Sequence, residues 1–113
     1  MSRSIVRAMW MALYCAVFAC PAAGAAPAKD TSYAVGIQNF AFVPKTLTVP
    51  IGTRVVWTNR DEEPHVVTSA GATFPSSKAL DSGDSYTVTF SKPGTYTYYC
   101  SIHPMMVGTI IVQ

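Results

Sequence analysis

Apolar and polar residues alternate along this chain in short bursts, not in the 3.6-residue rhythm of a helix. Residues 32–38 (SYAVGIQ) step between apolar and small or polar side chains. Residues 47–49 (LTV) follow Pro44 and stop at Pro50, and residues 51–53 (IGT) form a turn. Two β-branched runs, 54–58 (RVVWT) and 65–69 (HVVTS), flank a polar loop at 59–64. Residues 80–84 (LDSGD) have turn chemistry, after which Tyr86, Val88 and Phe90 alternate with Thr87 and Thr89. Lys92-Pro93-Gly94 makes another turn, Tyr96 and Tyr98 share the parity of Cys100, and residues 108–112 (GTIIV) close the chain. Gly or Pro interrupts nearly every window long enough for a helix. The pattern predicts an all-β, antiparallel sandwich of seven or eight short strands. Residues 71–79 are either an irregular loop or a short edge strand.

The beginning of the chain does not share this pattern. Arg3 and Arg7 precede a run of 13 apolar residues, 8–20, and residues 22–26 (AAGAA) then offer small-residue cleavage sites. A membrane-spanning helix needs roughly 20 apolar residues, and this run stops at Pro21. The expectation is a secretory signal peptide at 1–25, cut after Ala25 because Pro27 disfavours a cut one residue later. A short lead-in at 26–31 and one domain at 32–113 follow. Residues 17–20 (VFAC) resemble a lipoprotein cleavage box with Phe18 at a position that normally carries a smaller residue. Lipid anchoring through Cys20 is therefore the weaker reading, and export to the periplasm as a soluble domain the stronger.

Removing that leader changes the charge and the cysteine count. The formal net charge of +2 belongs to the leader. The remaining chain has six cations (Lys29, Lys45, Arg54, Arg60, Lys78, Lys92) and six anions (Asp30, Asp61, Glu62, Glu63, Asp81, Asp84). No basic cluster is present, which argues against nucleic acid as a partner. Cys100 alone remains of the three cysteines. An unpaired thiol in an oxidising compartment points to an intermolecular disulfide, a reactive nucleophile or a metal ligand.

The neighbours of Cys100 decide among these. His103 stands three residues on and Met106 three further, while the second of the chain's two histidines, His65, follows Pro64 upstream. A short loop leaving a strand can turn Cys100, His103 and Met106 toward one point, and His65 can reach it from a neighbouring strand. One thiolate, two imidazoles and a weak thioether are the donors of a blue-copper site. Zinc fits less well, because a thioether is a poor fourth ligand for it. A cysteine nucleophile would need an orienting third group and a substrate pocket, and the sequence carries the signature of neither. Four protein donors also leave no open position for a substrate, so the chain reads as a carrier and not an enzyme.

Several segments resemble one family. From about Phe42 to Val112, residues 54–60 (RVVWTNR), 63–65 (EPH), 90–100 (FSKPGTYTYYC) and 101–108 (SIHPMMVG) look like a cupredoxin of the amicyanin and plastocyanin type. The resemblance implies a cupredoxin-like Greek-key β-sandwich and one copper ion cycling between Cu(I) and Cu(II). His65, Cys100 and His103 would be its strong ligands and Met106, not Met105, the axial one. It also implies that Asn59 hydrogen-bonds across to the ligand loop, against the plainer reading of Asn59 as a turn residue in the 59–64 loop. The edge of His103 would reach a surface patch of Pro64, Pro104 and Met105, where larger redox proteins dock transiently. Arg60, Glu62 and Glu63 would bias their orientation.

Two departures stand out. Glu63 and Val66 differ from the amicyanin pattern around the first histidine, so the resemblance does not by itself carry amicyanin's partner, a quinoprotein amine dehydrogenase, over to this chain. Ile102 replaces a proline and so has an amide hydrogen for the Cys100 sulfur. The function implied is a monomeric, periplasmic one-electron carrier; the alternative is a module for copper storage, delivery or sensing.

Overall fold

The computed structural model describes residues 31–113. The expected leader at 1–25 and most of the lead-in therefore lie outside the described residues. Eight strands form: β1 (Ser32–Gln38), β2 (Ala41–Val43), β3 (Thr46–Val49), β4 (Thr53–Asn59), β5 (Thr68–Ser69), β6 (Ser85–Phe90), β7 (Gly94–Tyr99) and β8 (Val107–Val112). They make two four-stranded sheets, ordered β2-β1-β4-β6 and β3-β8-β7-β5. The expected all-β sandwich is what forms, but it is not purely antiparallel. The β1–β4 and β3–β8 pairs run parallel, because the chain passes from one sheet to the other between β2 and β3 and returns in β4.

Alternation along each strand sets what faces inward. Val55, Trp57 and Asn59 are the buried positions of β4, and Val88 and Phe90 those of β6. From the other sheet come Tyr98, Ile110 and Val112. Trp57 is fully buried and is ringed by Phe74, Tyr86, Phe90 and Tyr98, with centroids 5.4–6.4 Å from its own. Burial of large rings dominates the energetics of so small a core.

The run 65–69 is only partly a strand, contrary to the sequence pattern. Its amides are diverted elsewhere: the His65 backbone pairs with Leu80 as an isolated bridge, the Val66 amide points at the Cys100 sulfur, and the Val67 amide at the Ser77 hydroxyl. β5 is thereby left with two residues. Residues 71–79 form no edge strand; they start in a 3-10 turn at Ala70–Ala72, and Ser69 Oγ accepts the Thr73 and Phe74 amides.

Candidate metal centre

β4 ends at Asn59 and β7 at Tyr99, so the loops that follow them emerge at one end of the sandwich. The loop 100–106 joins antiparallel neighbours β7 and β8 and is closed by its own backbone. The Cys100 amide donates to the Met106 carbonyl at 3.1 Å, His103 to Cys100 at 3.2 Å, and Met106 to His103 at 2.9 Å. Those bonds are what bring residues spaced by three to one side of a tight turn. Cys100 is fully buried and Met106 nearly so, whereas Met105 is 97% exposed. Met106 is therefore the methionine that packs inward.

His65 enters from the other loop. Its amide donates to the Leu80 carbonyl at 3.1 Å and its carbonyl accepts from the Leu80 amide at 2.7 Å, fixing the backbone on both sides. The ring is fully buried. His65 Nδ1 and His103 Nδ1 each lie 3.8 Å from Cys100 Sγ, and the donor atoms of these three residues all fall within 4.8 Å of one another. The Val66 amide donates to the same sulfur at 3.3 Å.

These distances test whether a metal ion would fit. Bonds of about 2.3 Å to a thiolate and about 2.0 Å to an imidazole nitrogen, opened to about 120°, separate sulfur from nitrogen by about 3.7 Å. The same bonds at a tetrahedral angle would give about 3.5 Å. Both observed sulfur–nitrogen separations are close to what one shared ion requires. Soft sulfur with two imidazoles in such a triangle suits copper in both of its oxidation states.

Two expectations about neighbouring groups need correction. Asn59 is fully buried, but among the described residues it makes no bond to the loop 100–106. Its side-chain amide donates to the Glu63 and Leu80 carbonyls at 2.8 and 2.9 Å, and its side-chain oxygen accepts the Asp61 amide at 2.9 Å. It thus shapes the 59–64 loop and holds Leu80, the backbone partner of His65. The plainer turn reading describes it better, because β4 delivers its side chain beneath its own loop. For the Cys100 sulfur, the backbone donor among the described residues is Val66 and not Ile102. The Ile102 side chain is half-exposed at the rim.

Sequence reasoning missed two residues. Asp61 Oδ2 lies 2.9 Å from His65 Nε2. Its carboxylate also accepts the Asn39 and Phe40 amides, at 2.7 and 2.9 Å. Desolvation pushes this carboxyl up, but the Phe40 and Asn39 amides and the His65 ring outweigh it and hold the group below the usual carboxylate range. A carboxylate on Nε2 orients the ring and leaves Nδ1 to face the cluster. The four-residue step from Asp61 to His65 was the available signal.

Phe40, the second missed residue, packs edge-on against both imidazoles, 5.3 Å from His65 and 5.1 Å from His103. With Ile102, His103, Pro104, Met105 and Met106 it lines an apolar hollow of about 430 Å³. Pro64 is exposed but does not line that hollow.

The family model for a cupredoxin-like domain matches residues 8–112. Amicyanin-alpha of Methylorubrum extorquens is 32% identical over 119 residues, covering 96% of this chain and 100% of that one. Plastocyanin of Rumex obtusifolius is 36% identical over 87 residues, covering 65% of this chain and 88% of its own. A solved reduced amicyanin variant superposes with a TM-score of 0.69 at 31% identity, covering 74% of this chain and 84% of that one.

Proposed function

The chain belongs to the cupredoxin-like family, and from that premise we propose that it is a one-electron carrier whose copper is held by His65, Cys100, His103 and Met106. The single observation that supports this best is the pair of equal 3.8 Å separations between the Cys100 sulfur and the two imidazole nitrogens. When bound, copper supplies a Cu(I)/Cu(II) couple at a site whose ligand types suit both states.

The chain's own residues do the rest. Asp61 and the Leu80 bridge hold His65, the Val66 amide holds the sulfur, and burial of Cys100, His65 and Met106 keeps water away. Fixed donors let an electron arrive and leave without rearrangement. Of the four donors, only His103 is half-buried and not fully enclosed. A redox partner resting on the apolar rim of Phe40, Ile102, Pro104 and Met105 would sit against its ring. Small apolar patches suit brief encounters, and Arg60, Glu62 and Glu63 would bias the approach.

The rest of the reading is a monomer that transforms no substrate, since four protein donors leave no open position. It would be exported to the periplasm after loss of residues 1–25. Among the described residues no helix is long and apolar enough to cross a membrane. The test is voltammetry of the copper-loaded protein beside a challenge with a Cu(I) chelator. A reversible one-electron wave with retained metal is expected; no wave and prompt surrender of Cu(I) would favour copper storage, delivery or sensing instead.

A further inference from the structure

The β1–β2 hairpin has a two-residue loop, with Gln38 and Ala41 as its last pair and Asn39 and Phe40 as its tip. Both tip residues are left-handed, Asn39 at φ 53° and Phe40 at φ 57°. Such a turn takes asparagine readily in its first place and asks for glycine in its second. A bulky side chain in that conformation is an outlier that costs free energy, because its Cβ crowds the following carbonyl. Burial does not explain the choice, since Phe40 leaves 49% of its surface in water. An outlier of this kind is grounds for a hypothesis of function.

What the conformation achieves is visible in the rings. Phe40 meets His65 at an interplanar angle of 87° and His103 at 83°, while the two imidazoles lie 5.1 Å from each other. Three rings thus form a closed triangle, with the buried Cys100 sulfur 3.8 Å from both imidazole nitrogens. The turn that carries Phe40 is tied to the same site. Asp61 Oδ1 accepts the Asn39 amide, and Asp61 Oδ2 accepts the Phe40 amide and binds His65 Nε2. Turn, carboxylate and imidazole are one hydrogen-bonded unit.

We infer that Phe40 is a positioning residue of the metal site: its ring, kept in a left-handed turn by Asp61, braces both imidazoles and shields the Cys100 thiol before any metal arrives. A glycine there would suit the backbone better and leave the histidines unbraced. The inference rests on His65, Cys100 and His103 being the donors, and it concerns the site without its ion.

The test uses the metal-free full chain. Alkylation of Cys100 by iodoacetamide is followed by peptide-resolved mass spectrometry, so that Cys15 and Cys20 do not interfere, alongside the imidazole NMR lines of the two histidines. Phe40→Gly is expected to melt cooperatively at or above the wild-type temperature. It should nevertheless alkylate at Cys100 at least ten-fold faster and show broadened His65 and His103 signals. Phe40→Tyr, which keeps the ring, should match the wild type in rate and line width. A Phe40→Gly protein that alkylates at the wild-type rate overturns the proposal. So does one that fails to melt cooperatively, because the ring would then serve the whole fold, and so does a Phe40→Tyr protein as reactive as Phe40→Gly. Because no metal is present, none of these results depends on whether the loaded protein carries electrons.

Discussion

Gly108 lies flat against the ring of Tyr98, its direct partner across β7 and β8, so closely that an added Cβ would overlap the ring carbons and the hydroxyl. Tyr98 cannot retreat, because it is fully buried with Phe42 4.6 Å away on one side and Trp57 5.4 Å away on another. Overpacking of a closed core typically costs about 1–3 kcal/mol. Gly108→Ala should fall in that range or above it in denaturant unfolding of the metal-free protein. Restoring space with Tyr98→Leu in the same chain should recover part of the loss.

Asn59 supports His65 at one remove, through Leu80. Asn59→Ala leaves the buried Leu80 carbonyl and the Glu63 carbonyl without their side-chain donor. The Leu80 carbonyl keeps the His65 amide, so the loss is that of the Asn59 hydrogen bonds themselves, each worth about 0.5–1.5 kcal/mol net, and chemical unfolding should show a loss of that order per bond. Asn59→Asp should not rescue it, because an ionised carboxylate supplies no donor.

Tyr86 gives a stability dependence on pH with a definite sign. Burial pushes its phenol above the ordinary tyrosine value, and its hydroxyl donates to the Pro75 carbonyl. The folded protein therefore keeps this proton at pH values where the unfolded chain has released it. With more protons bound in the folded state, stability falls as pH rises above about 10, the ordinary value. Tyr86→Phe should flatten that decline in melting curves taken across the alkaline range. The comparison with wild type cancels the contribution of Tyr98, whose phenol burial pushes up to about 12.

Metal binding should stabilise the fold by mass action. Free copper at about 100 times its dissociation constant would add roughly 2.7 kcal/mol. Calorimetry should show the melting transition moving upward with copper, by less in Met106→Ala and hardly at all in His65→Ala. His65→Ala tests the reach of the upstream loop, since it removes a donor that lies 35 residues from Cys100 in sequence.

Much of this arrangement was legible in the residues alone. Alternation placed β1, β4, β6, β7 and β8, because strands with one buried face must step apolar and polar. Tyr96, Tyr98 and Cys100 share one parity in the sequence; Tyr98 and Cys100 are fully buried and Tyr96 is half-buried. The grouping of His65, Cys100 and His103 was legible because a lone thiol, an imidazole and a thioether at steps of three have few other uses together. What stayed hidden depends on contacts between distant segments. Asp61 receives amides from residues 21 and 22 positions upstream, and no local pattern announces that. Phe40 was invisible because a left-handed turn without glycine breaks the usual turn chemistry. The parallel pairs β1–β4 and β3–β8 follow from crossing between sheets, which strand patterns do not encode.

The most direct measurement is a titration with Cu(II) read by visible absorption and EPR, with Cys100→Ala run in parallel. An intense blue sulfur-to-copper band saturating at one equivalent is expected, with an EPR spectrum of unusually small copper hyperfine splitting, and neither in Cys100→Ala. A pale complex with ordinary tetragonal EPR parameters, unaltered by loss of the sulfur, would contradict a blue-copper site.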